Sequence, residues 1–162
     1  MLKNLVLVGV FAACVTALAG CGPRDAEGVA VGAPTLRTIR MSAVEYKGST
    51  SDEKEPLPDA NPPTGGGYLL KAPDKGTWEN SSYRYEPGSI TINQGDTVKL
   101  EIWGVNGASH ASEVEGYAKK FVAKRGQLTT VTFVADKPGI FRIVCLDHQP
   151  SMESQLVVLP RK

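Results

Sequence analysis

Apolar and polar side chains alternate with a period of two along much of the chain after Tyr68, and this alternation decides the fold class. It runs through residues 90–92, 98–102, 129–135 and 141–145. A period of two indicates β-strands with one buried face. Turn-forming sequences separate these segments, among them Asn93-Gln94-Gly95-Asp96 and Asp136-Lys137-Pro138-Gly139. Short strands at a spacing of roughly ten residues predict an all-β sandwich or barrel.

Two stretches depart from this pattern. Residues 48–67 are poor in apolar side chains and contain four prolines, which predicts a long loop after a first strand at 36–46. In residues 114–122 the apolar side chains also fit the spacing of a helix. Gly116 and the β-branched residues disfavour a helix, so we predict two strands there, at 112–116 and 120–124.

The first twenty residues predict a secretion signal. Lys3 precedes sixteen apolar or small residues, at 5–20, without a charge. This stretch is short for a membrane span and suits a signal peptide. It ends in Leu18-Ala19-Gly20-Cys21, which resembles the lipobox of bacterial lipoproteins. The resemblance implies that residues 1–20 are removed, that Cys21 carries a lipid, and that this lipid anchors the protein on the extracytoplasmic side of the cell envelope. An ordinary signal peptide is the alternative.

The remaining chain divides into three segments on composition. Residues 21–35 predict a lipid anchor and a flexible tether, residues 36–67 a first strand and a Pro/Gly-rich loop, and residues 68–162 the main β domain. The chain has 18 basic and 17 acidic side chains, a formal net charge of +1. This balance gives no overall field that would attract nucleic acid, so we expect no nucleic-acid partner.

Side chains that bind soft metals are concentrated near the C terminus. Cys145, His148 and Met152 form a Cys-x₂-His-x₃-Met pattern, and His110 lies 35 residues before the cysteine. Two imidazoles, a thiolate and a thioether are the ligand set of blue-copper sites. Thiolate and thioether suit Cu(I), and imidazole suits both oxidation states. Each residue alone is more often a packing residue, but their joint spacing predicts a copper site.

The cysteines agree with this interpretation. Cys14 lies in the predicted signal peptide, and Cys21 is the predicted lipidation site. Cys145 is then left without a partner for a disulfide within the chain, in an oxidising compartment. Metal binding, inert burial and pairing with another molecule are the three explanations for such a cysteine.

Residues 84–160 resemble a cupredoxin, the family of plastocyanin, azurin, amicyanin and pseudoazurin. YEPGSITINQGDTVKLEIW is similar to the second and third strands of the family, and TFVADKPGIFRIVCLDHQPSM to its closing strand and ligand loop. The resemblance implies a Greek-key β-sandwich and a copper-binding domain at 68–162. It assigns His110, Cys145, His148 and Met152 as ligands of one copper ion.

Departures from the family pattern concern the neighbours of these ligands. Ala111 stands where Asn often follows the upstream histidine, and Ser154 stands where Gly is common. Gln149 and the lack of a second cysteine in the loop argue against a binuclear copper centre. A carboxylate from Glu113 or Asp147 is an alternative to the methionine and would give a red-copper site.

The resemblance implies a lipid-anchored, mononuclear type 1 copper protein. We expect it to transfer single electrons between membrane-associated redox proteins of the cell envelope, as a monomer and not as an enzyme. The sequence shows no Ser-His-Asp arrangement, no phosphate-binding glycine loop and no carboxylates at catalytic spacing. Three alternatives stay open: copper delivery or scavenging, a red-copper site with small-molecule reactivity, and a metal-free structural module.

Overall fold

A computed structural model describes residues 32–59, 66–71 and 76–161 of the chain. The predicted signal peptide at 1–20, the lipidation site Cys21 and the tether up to residue 31 lie outside the described residues. The described residues form ten β-strands: β1 Leu36–Ser51, β2 Tyr68–Lys71, β3 Thr77–Glu86, β4 Ser89–Asn93, β5 Thr97–Gly104, β6 Ser109–Val114, β7 Lys119–Lys124, β8 Leu128–Val134, β9 Gly139–Cys145 and β10 Glu153–Leu159. In the described part of the chain, no helix has the length and hydropathy required to cross a bilayer.

The strands form two five-stranded sheets. One sheet has the order β2-β3-β1-β5-β8 and the other β4-β10-β9-β6-β7. The β1–β5 and β4–β10 pairs are parallel, and the remaining pairs are antiparallel. Strands distant in sequence are therefore neighbours in both sheets, as expected for a Greek-key sandwich. The predicted all-β class is confirmed.

The core lies between the sheets and consists of the inward-facing residues of the alternating strands. Val98, Leu100 and Ile102 of β5 are all fully buried, while Lys99 and Glu101 between them face outward. The opposite sheet adds further apolar side chains, among them Val114, Ile143, Leu156 and Val158. The alternation of the sequence predicted that each of these strands buries its apolar face, and this burial drives the packing of the two sheets.

The segment with competing helical and strand patterns forms a hairpin. β6 and β7 are antiparallel, with Ser112 paired to Phe121, so the prediction of two strands is confirmed. Gly116 has a φ of +76° in the turn, and a Cβ there would lie 2.5 Å from the ring of Phe141. Only glycine fits both the backbone conformation and the space, which is why the helical spacing does not lead to a helix.

β1 is longer and more central than its sequence suggests. The predicted first strand at 36–46 is present, but it continues to Ser51, through residues placed in the loop on composition. Residues 47–51 pair with β3 and have no apolar alternation, so pairing rather than burial makes them a strand. β1 lies between β3 and β5 in its sheet. It is therefore part of the same sandwich as the strands after residue 68.

A buried carboxylate joins the two ends of the described chain. Asp96 is fully buried and precedes β5. It accepts hydrogen bonds from the N–H of Thr35 at 3.0 Å, from Arg37 at 3.2 Å and from Arg161 at 2.7 Å. Burial opposes ionisation, but the hydrogen bonds from Thr35, Arg37 and the main chain of Asn93 outweigh it and lower the pKa of the Asp96 carboxyl below its ordinary value of 3.8. The segment before β1 and the segment after β10 are thus bonded to one charged group.

We predict that Asp96→Asn lowers the free energy of unfolding by about 3 kcal/mol, because it leaves two arginines without their buried counter-ion. Urea denaturation at pH 7 measures this loss, and Asp136→Asn on the exposed surface is the control. The lowered pKa means that the stabilisation is present above pH 3.8 and is lost as the pH falls further. The difference between wild type and variant should therefore shrink in acid; a difference independent of pH would contradict the assignment.

Candidate metal centre

His110 lies near the start of β6, on the face directed into the sandwich, and is 1% exposed. Its Nε2 lies 3.2 Å from the carbonyl oxygen of Asn106. A carbonyl only accepts hydrogen bonds, so Nε2 carries the proton and Nδ1 keeps a lone pair. The backbone of the preceding loop therefore selects the nitrogen that is available to a metal ion.

Cys145 is the last residue of β9 and is fully buried. It lies opposite Ser112 in the pairing of β9 with β6. The Ser112 hydroxyl donates to the carbonyl of His110 at 3.1 Å, so the hydroxyl of Tyr85, 2.6 Å away, donates to Ser112. Hydrogen bonds therefore run from Tyr85 through Ser112 to the carbonyl of His110. They hold the backbone of His110 in place on β6, opposite the strand that carries Cys145.

His148 lies in the loop between β9 and β10 and completes a compact cluster. Its Nδ1 lies 3.3 Å from Sγ of Cys145 and 3.4 Å from Nδ1 of His110. The three ligand atoms lie within 4.8 Å of one another. Metal bonds of about 2.0–2.3 Å place neighbouring ligand atoms roughly 3.3–3.8 Å apart, so the spacing fits a single metal ion.

The main chain of Met152 is hydrogen-bonded to the main chains of Cys145 and His148. Its N–H donates to the carbonyl of His148 at 2.9 Å, and its carbonyl accepts from the N–H of Cys145 at 3.0 Å. Its side chain is fully buried. The loop from the cysteine to the methionine is thus closed on itself, and a role of the Met152 thioether as a ligand stays a prediction.

The two carboxylates considered as alternative ligands are not part of the cluster. Glu113 lies between inward-facing Ser112 and Val114 on β6, so its side chain is directed to the opposite face from His110. Asp147 is exposed. Among the His, Cys, Asp and Glu side chains of the described residues, the group that could bind a metal consists of the two histidines and the cysteine.

Burial shifts the pKa values of two of the three groups in the cluster toward their uncharged forms. Burial raises the pKa of the Cys145 thiol, although hydrogen bonds from the main chain of Asp147 and His148 partly offset the effect. Burial and the neighbouring His110 lower the pKa of His148 below 6.5, so this imidazole is neutral at pH 7 and offers a lone pair. A metal ion that binds here must displace the proton of the thiol.

Main-chain hydrogen bonds connect the two ligand segments. The N–H of Leu146, next to Cys145, donates to the carbonyl of Ala111, next to His110, at 2.8 Å. Ala111 stands where asparagine often follows the upstream histidine in cupredoxins. The contact at Ala111 uses only backbone atoms, so it does not depend on the side chain at that position.

Four residues that sequence reasoning did not assign to the site contribute to it. The Asn106 side chain accepts from the N–H of Glu45 at 2.7 Å and donates to its carbonyl at 2.8 Å, which joins the His110 loop to β1. Gly107 leaves room for the His110 ring, and Tyr83 stacks on His148. Asn-Gly is a common turn sequence, and nothing in it indicates a metal site.

The same fold occurs in copper proteins of known structure. A copper nitrite reductase from Nitrosomonas europaea matches with a TM-score of 0.51 and 15% identity, over 78% of this chain and 42% of that chain. The multicopper oxidase mgLAC also gives a TM-score of 0.51 and 15% identity, over 78% and 40%. The periplasmic domain of cytochrome oxidase subunit II of Bradyrhizobium japonicum matches with a TM-score of 0.37 and 20% identity, over 44% of this chain and 54% of that chain.

These similarities concern the fold. The chain spans between 40% and 54% of the length of the three proteins. The match to the nitrite reductase and the multicopper oxidase confirms the cupredoxin-like sandwich that the sequence predicted. No family model and no curated protein sequence matches the chain.

We predict that Gly107→Ala weakens the binding of Cu(II) by about tenfold or more. A Cβ at this position would lie 2.7 Å from Nε2 of His110, and the φ of +77° adds strain. Gly126→Ala is the matched control, since its φ is +71° and nothing lies within 4 Å of the added carbon. Competition titration measures affinity, and equal affinities of the two variants would contradict a role of Gly107 in positioning His110.

Proposed function

We propose that this chain is a mononuclear copper protein of the electron-transfer class. His110, Cys145 and His148 would bind the ion, and Met152 would add a weaker thioether ligand. The observation that carries this proposal is the convergence of two Nδ1 atoms and one Sγ atom, at 3.3 and 3.4 Å, inside a cupredoxin-like sandwich.

The donor chemistry favours copper over other cations. Magnesium and calcium prefer oxygen ligands, and the cluster of described residues consists of nitrogen and sulfur donors. Zinc also binds histidine and cysteine. Met152 is buried, and its main chain is hydrogen-bonded to those of Cys145 and His148, so its thioether would add a soft sulfur atom that suits Cu(I). The cluster therefore fits one copper ion.

The surrounding chain suits electron transfer. A copper ion held here supplies a one-electron couple between Cu(I) and Cu(II). Asn106 keeps the proton of His110 on Nε2, and burial of His110 and Cys145 excludes water from these donors. Hydrogen bonds within and between the ligand segments hold the donors in place, so little rearrangement follows a change of charge.

An electron carrier is preferred to an enzyme on the same evidence. The nitrite reductase and the multicopper oxidase of this fold are enzymes by name, and the matches cover 42% and 40% of their lengths, so their activities are not carried over to this chain. His110 and Cys145 are buried, and the tyrosine ring of Tyr83 covers one face of His148. Protected donors favour exchange of electrons over direct contact of a substrate with the ion.

We further propose that the protein works on the extracytoplasmic side of a membrane. The sequence Leu18-Ala19-Gly20-Cys21 supports cleavage at 1–20 and lipidation of Cys21. Residues 21–35 would then separate the membrane from the copper domain. Its partners would be redox proteins of the cell envelope, and the chain would act as a monomer.

The copper assignment predicts a strong visible absorption of the purified protein with one equivalent of Cu(II). Cys145→Ser should abolish this thiolate-to-copper band, whereas the same substitution at Cys21 should leave it intact. Reductant should bleach the band, and reoxidation should restore it. A coloured Cys145→Ser variant would contradict the thiolate assignment, and a wild type that binds zinc but not copper would refute the proposed metal.

Membrane association tests the anchor separately. In cells that process lipoproteins, wild type should fractionate with membranes, because more than one acyl chain gives stable anchoring. Cys21→Ser should move most of the protein to the soluble fraction without affecting the copper band. Retention of this variant in the membrane fraction would show that Cys21 is not the anchor.

A further inference from the structure

Tyr83 contacts both histidines of the candidate metal centre. Its ring lies parallel to the His148 imidazole, with centroids 3.8 Å apart and planes 13° apart. It meets His110 edge-on, at 5.6 Å and 63°. Offset stacking and edge contacts are the favoured arrangements of aromatic rings. One side chain from β3 therefore packs against rings that come from two other segments.

Neighbouring groups fix the position of Tyr83. Its N–H donates to the carbonyl of Gly67 at 3.0 Å, and it lies directly opposite Glu45 in the β1–β3 pair. Glu45 is 8% exposed and forms an ion pair with Lys47 at 3.0 Å. Burial opposes ionisation of Glu45, but hydrogen bonding with Lys47 and Tyr83 lowers the pKa of its carboxyl. The phenol thus faces an anchored carboxylate.

The two histidines differ in how their rings are oriented. The Nε2 of His110 is hydrogen-bonded to the carbonyl of Asn106, and this bond orients the plane of the His110 ring. The hydrogen-bond contacts of the His148 ring within the described residues are made through Nδ1, the atom directed at the cluster. His148 also lies in a loop, and it is only half-buried. Stacking on Tyr83 is the contact that sets the plane of this imidazole.

We propose that Tyr83 is a positioning residue for the copper ligand His148. Its ring sets the plane of the imidazole and keeps Nδ1 directed toward Sγ of Cys145 in both oxidation states. This proposal rests on the proposed function. Its consequence is that removal of the ring changes the geometry and the electron-exchange rate of the copper site, while the copper-binding atoms themselves remain.

A comparison of three variants tests this role. Tyr83→Leu removes the ring, Tyr83→Phe retains it without the hydroxyl, and Tyr46→Leu removes a tyrosine from the opposite face of the same strand pair. We expect Tyr83→Leu to alter the electron paramagnetic resonance spectrum of Cu(II) and to slow electron self-exchange by about tenfold. Tyr83→Phe should keep most of the wild-type spectrum and rate, and Tyr46→Leu should keep both.

The stack is also measurable without metal. In the metal-free wild-type protein, the ring protons of His148 should be shifted upfield by Tyr83 in the proton NMR spectrum. The shift should persist in Tyr83→Phe and disappear in Tyr83→Leu. This measurement on wild type and Tyr83→Phe is decisive even if Tyr83→Leu does not fold, because an unshifted His148 in wild type would overturn the proposal.

The outcomes separate the two proposals. A wild type without copper binding would remove the proposed function, whereas the upfield shift would still report on the stack. A normal copper band in wild type, together with an unchanged spectrum and exchange rate in Tyr83→Leu, would refute only the positioning role. Equal losses in Tyr83→Phe and Tyr83→Leu would also overturn it, since they would assign the effect to the hydroxyl instead of the ring.

Discussion

The antiparallel pairing of β6 with β9 is the contact on which the metal centre depends. This pairing places Ser112 opposite Cys145, and His110 lies on the same inward face, two residues before Ser112. A shift of one residue would turn one of the two ligands to the opposite face of the sheet, because side chains alternate along a strand. The register of one strand pair therefore decides whether the imidazole and the thiol can bind the same ion.

The other sheet supports the centre from the side. β1 contributes the main chain of Glu45, to which the Asn106 side chain is bonded, and the Asn106 carbonyl orients His110. β3 contributes Tyr83, which packs on His148. Glu45 and Tyr83 are directly opposite each other in the β1–β3 pair, and β1, a strand of sixteen residues, lies between β3 and β5. The second sheet thus supplies residues that hold His110 and His148 in position, in addition to its part in the fold.

Local patterns were sufficient for most of the fold. The alternation in 98–102 predicted a strand with the correct buried face, since burial of apolar side chains acts on each strand separately. The strand predicted at 141–145 is also present, but Val144 is buried as well as Ile143 and Cys145. The hairpin of β6 and β7 followed from Gly116. The polar end of β1 was placed in a loop instead, because residues 47–51 are a strand only through their pairing with β3. No local pattern reports on such a partner.

The sequence by itself determined which side chains are candidate ligands, since Cys145, His148 and Met152 lie close together in the chain and His110 is one of only two histidines. Only the tertiary structure decided that the two imidazoles and the thiol converge, and that Glu113 is directed elsewhere. It also decided the roles of Asn106 and Tyr83. The physical reason is that ligand chemistry is a property of single residues, whereas distances between them depend on the register of strands that are far apart in the chain.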